Sequence, residues 1–170
     1  MTMPSDNRRV FIDKQHPQVY RSQIEVAKAV RRAARDAGLS RALMELVNLR
    51  VSQINACAYC LHTHTRDAIE AGESPWRITV LPAWRDTRLF TDQERAALTL
   101  AESLTVLPDS RLQDRDYAEA ASVLTHEQIS VISWAVIVIN AFNLVSVVSR
   151  HSIPPEKPQP TPHGAGGTLR

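Results

Sequence analysis

The 170-residue chain predicts an all-α fold, a single-domain helical bundle, and three observations point there. Turn formers are scarce in its body: Gly38 and Gly72 are the only glycines before Gly164, and Pro75, Pro82 and Pro108 the only prolines between Gln18 and Ile153. Apolar residues recur at steps of three and four rather than two. Polar residues suited to capping, among them Ser40, Thr91 and Thr125, stand at the head of such runs. A chain of this length buries about two-thirds of its unfolded surface, so a substantial core is expected.

Residues 1–16 read as an N-terminal extension, 17–150 as the helical domain and 151–170 as a flexible tail rich in proline and glycine, with too little apolar content to offset the entropy of ordering. The first helix runs from Pro17 to Ala37, carries Val19, Ile24, Ala27, Val30 and Ala34, and stops at Gly38. Ser40 caps a second with Leu43, Leu46, Val47, Val51 and Ile54; Asn55 is placed to cap a third that ends at Gly72. Pro75 to Pro82 allows only short helical pieces. Capping boxes at Thr91-Asp-Gln-Glu94 and Thr125-His-Glu-Gln128 open two long helices, with a shorter one from Asp114 to Leu124 between them. The last helix, His126 to Ser149, has no charged side chain after Glu127 and is apolar on nearly every side. It is long enough to span a bilayer, but Asn140, Asn143 and several serines would then meet lipid, and no second such segment exists. A core helix is expected instead, shared within a homo-oligomer because one small domain has difficulty covering it all round.

A formal net charge of +2 gives no field that would favour nucleic acid or a membrane surface, and the run Lys28, Arg31, Arg32, Arg35 reads as a solvated helix face. The first residues show no basic stretch followed by an apolar one, so a cytoplasmic location is expected.

The only two cysteines stand together in Cys57-Ala-Tyr-Cys60. A bridge closing so short a loop restrains the unfolded chain little, which leaves redox or metal chemistry as its purpose. On a helix, residues three apart share a face at a Cα separation that a disulfide tolerates, so the pair can cycle between dithiol and disulfide. Helix N-terminal N–H groups favour the thiolate and act most strongly on Cys57, the cysteine nearer the terminus. His64 follows Cys60 by one turn on the same stripe and is a candidate base, whereas His62 points away from that stripe and is assigned a structural role. Cys57, Cys60 and His64 also resemble three ligands of a zinc site, but no second Cys-x-x-Cys or paired histidine offers a fourth, and no metal is expected.

From Glu45 through Cys57-Ala-Tyr-Cys60 to His64 the chain resembles the alkylhydroperoxidase D-like core of the carboxymuconolactone decarboxylase family. The redox branch of that family is marked by a glutamate, eleven intervening residues, Cys-x-x-Cys, three residues and a histidine, and this chain matches each element. The likeness continues through Ala71-Gly-Glu73, Leu81-Pro-Ala-Trp-Arg85, Thr91 to Leu98 and Ile139-Asn140-Ala-Phe-Asn143, covering roughly Leu39 to Arg150. It implies an all-α protein that assembles into homo-oligomers and reduces alkyl hydroperoxides without haem, flavin or any other cofactor. Carried over by position, Cys60 is the peroxidatic thiol, Cys57 the resolving thiol, and Glu45 with His64 the proton relay. Without the resemblance, Glu45 would read as a solvated surface carboxylate.

Tyr59 departs from the founding member, which has histidine there; a phenol donates a hydrogen bond but shuttles protons poorly at neutral pH, and Tyr59 is a candidate for the substrate pocket. Leu61, Trp84 and Phe142 are further candidates for an apolar wall. The implied cycle needs a hydroperoxide substrate and an external dithiol reductant, either a lipoylated or a thioredoxin-like protein. Two alternatives stay open: a general dithiol-disulfide oxidoreductase or redox sensor with little peroxidase activity, and lactone decarboxylation, which does not need the dithiol.

Overall fold

Eight α-helices follow one another in the computed structural model, which describes residues 9–153, and no strand occurs among the described residues. They are α1 (Ile12–Gln15), α2 (Pro17–Asp36), α3 (Arg41–Ile54), α4 (Ala58–Glu70), α5 (Pro75–Val80), α6 (Asp92–Val106), α7 (Ser110–Ala121) and α8 (His126–Ser149), with a 3-10 segment, Leu81–Asp86, after α5. The expected ends of the long helices are present. Ser40 Oγ accepts the Leu43 N–H at 3.1 Å, and Thr91 with Glu94 and Thr125 with Gln128 form complete capping boxes. Gly38 and Gly72 take the left-handed conformation that stops α2 and α4.

α7 starts about one turn earlier than its apolar pattern suggests. Asp109 causes this: its side chain accepts the Arg111 N–H at 3.0 Å and its carbonyl the Gln113 N–H at 3.1 Å, so the helix is capped directly after Pro108. Its end also comes before Leu124, in a turn closed by Val123 and Leu124 N–H groups on the Ala120 carbonyl. Within the expected extension, Ile12 to Gln15 form one helical turn tied to α8 by the Ile12 N–H on Ser149 Oγ at 3.2 Å. His151 of the expected tail contacts Asp13 at 3.2 Å, whereas residues 1–8 and 154–170 lie outside the described part.

α3 is the central element because it buries two faces. Leu43, Val47 and Val51 pack with Ala97 and Leu100 of α6 and with Ile132 and Val136 of α8. On its other side, Leu46 and Leu49 meet Ala68 of α4, Leu81, Trp84 and Leu98. Each such aliphatic side chain contributes roughly 1.5–3 kcal/mol through the apolar surface it removes from water. α2 crosses α8 on the outside of the first cluster. α8 is the one described helix long and apolar enough to cross a membrane, yet Ile132, Val136, Ile139 and Asn143 sit inside the bundle. Its outer strip stays open, with Trp134 53% and Leu144 64% exposed.

Glu102 of α6 ties three elements together. Its carboxylate accepts Arg50 Nε of α3 at 2.6 Å, Trp84 Nε1 at 2.9 Å and a close contact from Arg85. Burial pushes this carboxyl up, but the hydrogen bonds from Arg85, Trp84 and Arg50 outweigh that and leave it below its ordinary value of 4.5. A carboxyl depressed in the folded state stabilises the protein above its unfolded value and loses that contribution as pH falls through the folded one. Glu102→Gln is therefore expected to lower stability by about 1–2 kcal/mol at pH 7 in urea unfolding. Its deficit against the parent should shrink as pH drops below that ordinary carboxylate value; a deficit independent of pH would contradict the assignment.

Candidate functional site

Sequence position alone makes Glu45 look like a surface carboxylate, but α3 carries it into the interface with α4, where it is 6% exposed. A buried carboxylate needs partners, and it has two: His64 Nδ1 at 2.7 Å and Asn48 Nδ2 at 3.2 Å. With Glu45 ionised, Nδ1 is the donor, and Nε2 is the ring nitrogen left for other chemistry. His64 comes from the second turn of α4, one turn beyond Cys60.

Cys57 and Cys60 form a disulfide with their Cα atoms 5.4 Å apart, inside the usual range. Both cysteines are almost fully buried, at 2% and 4% exposure. The N-cap of α4 is Cys57 rather than the expected Asn55, and its Sγ accepts the Cys60 N–H at 3.4 Å. Asn55 instead closes the end of α3, its backbone N–H reaching the Val51 carbonyl, because its side chain is claimed by α8. Asn55 Nδ2 donates to Asn140 Oδ1 at 2.7 Å and Asn143 Oδ1 at 2.9 Å. Asn143, 0% exposed, donates in turn to Ser52 Oγ at 3.1 Å, and the Ser52 carbonyl accepts the Cys57 N–H at 3.0 Å. Between these anchors Ala56 is held at φ +49°, a conformation that costs a residue with a Cβ about 1 kcal/mol or more. A polar network reaching from α8 thus fixes the turn that delivers the cysteines. The signal for it in the sequence was the pair Asn140 and Asn143 inside an otherwise apolar helix.

Glu45 and His64 also border a cavity of about 280 Å³ between α2, α3, α4 and α8. Of the expected apolar wall, Phe142 lines it. Leu61 and Trp84 belong to the second core cluster. Tyr59 is one position off the Cys60–His64 stripe and turns elsewhere, packing edge-on against His151 with ring centres 5.3 Å apart. Asp13 and Phe11 contact His151 in turn, an association of segments far apart in the chain that sequence reading did not find. Asp67 completes a trio with Glu45 and His64 whose ligand-type atoms lie within 4.8 Å of one another. Arg66 already engages Asp67 at 2.9 Å, and Arg31, Arg35 and Arg41 border the same cavity, a field that disfavours a divalent cation there.

These features define a helical protein with a disulfide at a helix N-terminus and a buried carboxylate–imidazole pair beside it. The chain belongs to the carboxymuconolactone decarboxylase family, whose model matches residues 17–103, a span that holds Glu45, Cys57, Cys60 and His64. It is an alkylhydroperoxidase D-like member. It is similar to the uncharacterized protein YdfG of Bacillus subtilis, 34% identical over 113 residues, which covers 66% of this chain and 77% of that one. A shorter match joins it to the uncharacterized protein YnjA of Escherichia coli, 31% identical over 70 residues, or 41% and 38% of the two chains. A crystal structure from Agrobacterium tumefaciens superposes with a TM-score of 0.78 at 27% identity, covering 87% of this chain and 99% of that one. Its function is unknown, and the antioxidant defence protein AhpD has been suggested for it.

Removing Asn143 leaves the Asn55 and Ser52 side chains short of a partner beside the Cys57 turn. Asn143→Ala is expected to cost about 2–3 kcal/mol in urea unfolding of the oxidised protein. A change below about 0.5 kcal/mol, the range of ordinary surface substitutions, would show that the network does not hold the turn.

Proposed function

We propose that the protein is a thiol peroxidase that reduces organic hydroperoxides, and that Cys60 is the attacking thiol. The observation that carries this reading is the buried Glu45–His64 hydrogen bond, formed by the imidazole one helical turn from a Cys57–Cys60 pair able to close a disulfide. The suggested AhpD role of the Agrobacterium protein supports it.

In the reduced enzyme His64 takes the Cys60 proton through Nε2 while Glu45, accepting from Nδ1, holds the ring and stabilises its charged form. The Cys60 thiolate attacks the terminal oxygen of the hydroperoxide. The O–O bond breaks, Cys60 becomes a sulfenic acid, and the alkoxide leaves as an alcohol after taking a proton from His64. Cys57 then attacks the sulfenic sulfur and releases water, giving the disulfide. An external protein dithiol, lipoylated or of the thioredoxin type, returns two electrons and two protons by thiol–disulfide exchange.

One observation favours a second reading, general dithiol–disulfide exchange. Cys57 is the N-cap of α4, and its sulfur accepts the Cys60 N–H, an arrangement that stabilises a thiolate at Cys57 rather than Cys60. Hydroperoxide reactivity separates the two.

On mixing the reduced protein with cumene hydroperoxide, two thiols per chain should be lost in one fast phase, and that phase should vanish in Cys60→Ser. Glu45→Gln and His64→Ala should slow it by about 10²-fold, the usual scale for a lost acid–base group. Equally slow loss in the parent and Cys60→Ser would favour the exchanger.

A further inference from the structure

The cavity beside Glu45 and His64 has walls of two kinds. Its body is apolar, built from Val30 and Ala34 of α2, Met44 of α3, and Ile139 and Phe142 of α8. Arg31, Arg35 and Arg41 border it as well, and all three are exposed. Arg41 is paired with Glu70 at 3.3 Å, whereas Arg31 and Arg35 have no ion pair or hydrogen bond among the described residues. The two carboxylates bordering the cavity are already engaged, Glu45 by His64 and Asn48 and Asp67 by Arg66. The spare charge is therefore positive and sits on arginines, whose planar donors suit a carboxylate. At about 280 Å³ the space is at the small end for ligand pockets, so a slender chain fits better than a fused ring system.

We infer that this cavity, which the two cysteines do not line, is a binding site for a medium-chain alkyl carboxylate. The carboxylate meets Arg31 and Arg35, and the alkyl chain lies along the apolar wall toward the Glu45–His64 end. That assigns a ligand-binding role to two arginines of a face that the sequence presents as merely solvated.

Binding can be measured without chemistry on the oxidised protein, using octanoate, 1-octanol and octylammonium as probes of equal chain length. Octanoate should bind at least about fivefold more tightly than either, the scale of two exposed charge pairs, and its advantage should fall with added salt. NMR shift changes should centre on Met44, Ile139 and Phe142. The double variant Arg31→Gln, Arg35→Gln should bring octanoate down to the affinity of octanol while octanol binding is retained, which also reports an intact pocket. Equal affinity for the three probes, an unaffected double variant, or shifts mapping elsewhere would overturn the proposal. Thiol loss in the reduced protein is scored separately: selective octanoate binding without hydroperoxide reactivity would leave the pocket standing and remove the peroxidase.

Discussion

A carboxylate inside a helical bundle is costly unless something answers its charge, and in this protein Glu45 is answered by His64 across the α3–α4 interface. That bond occupies one imidazole nitrogen and fixes the ring where α4 packs on α3 through Leu46, Leu49 and Ala68. The remainder of the site is arranged around it. α3 can carry Glu45 there because its other buried positions, Leu43, Leu46, Val47, Leu49 and Val51, anchor it on both sides.

Three further constraints converge on the same few residues. The asparagines of α8 hold the turn before α4, so the cysteines begin that helix rather than follow its first turn. The cap gives Cys57 an N–H partner, while helical spacing gives Cys60 the histidine, and the two sulfurs are thereby made unequal. α2 closes the cavity from outside, with apolar side chains inward and arginines at its edge. An isolated helix could supply the dithiol, but only the packed bundle brings Glu45 to His64 and encloses the cavity beside them.

Much of the fold was legible because helix ends are written locally. Ser40, Thr91 and Thr125 needed only residues three positions on, and Gly38 and Gly72 only their own conformational freedom. What escaped sequence reading depends on partners far along the chain. Asn55 has the composition of a cap, yet its side chain goes to residues 85 and 88 positions away. Asp13 and His151 meet across 138 positions. Glu45 reads as exposed until α3 is laid on α4, and only the family pattern placed it beside the cysteines. α8 was read as too apolar for one small domain to cover all round, and on one chain the strip with Trp134 and Leu144 stays open.

The central claim is that the proton relay activates Cys60 rather than Cys57, and the product of the first chemical step tests it most directly. Reduced Cys57→Ser and Cys60→Ser variants, treated with one equivalent of cumene hydroperoxide in the presence of dimedone, can be read by peptide mass spectrometry. The account predicts rapid dimedone labelling at Cys60 in the first variant and little label in the second. Faster labelling of Cys57 in the second would contradict it and assign the attacking sulfur to the helix cap.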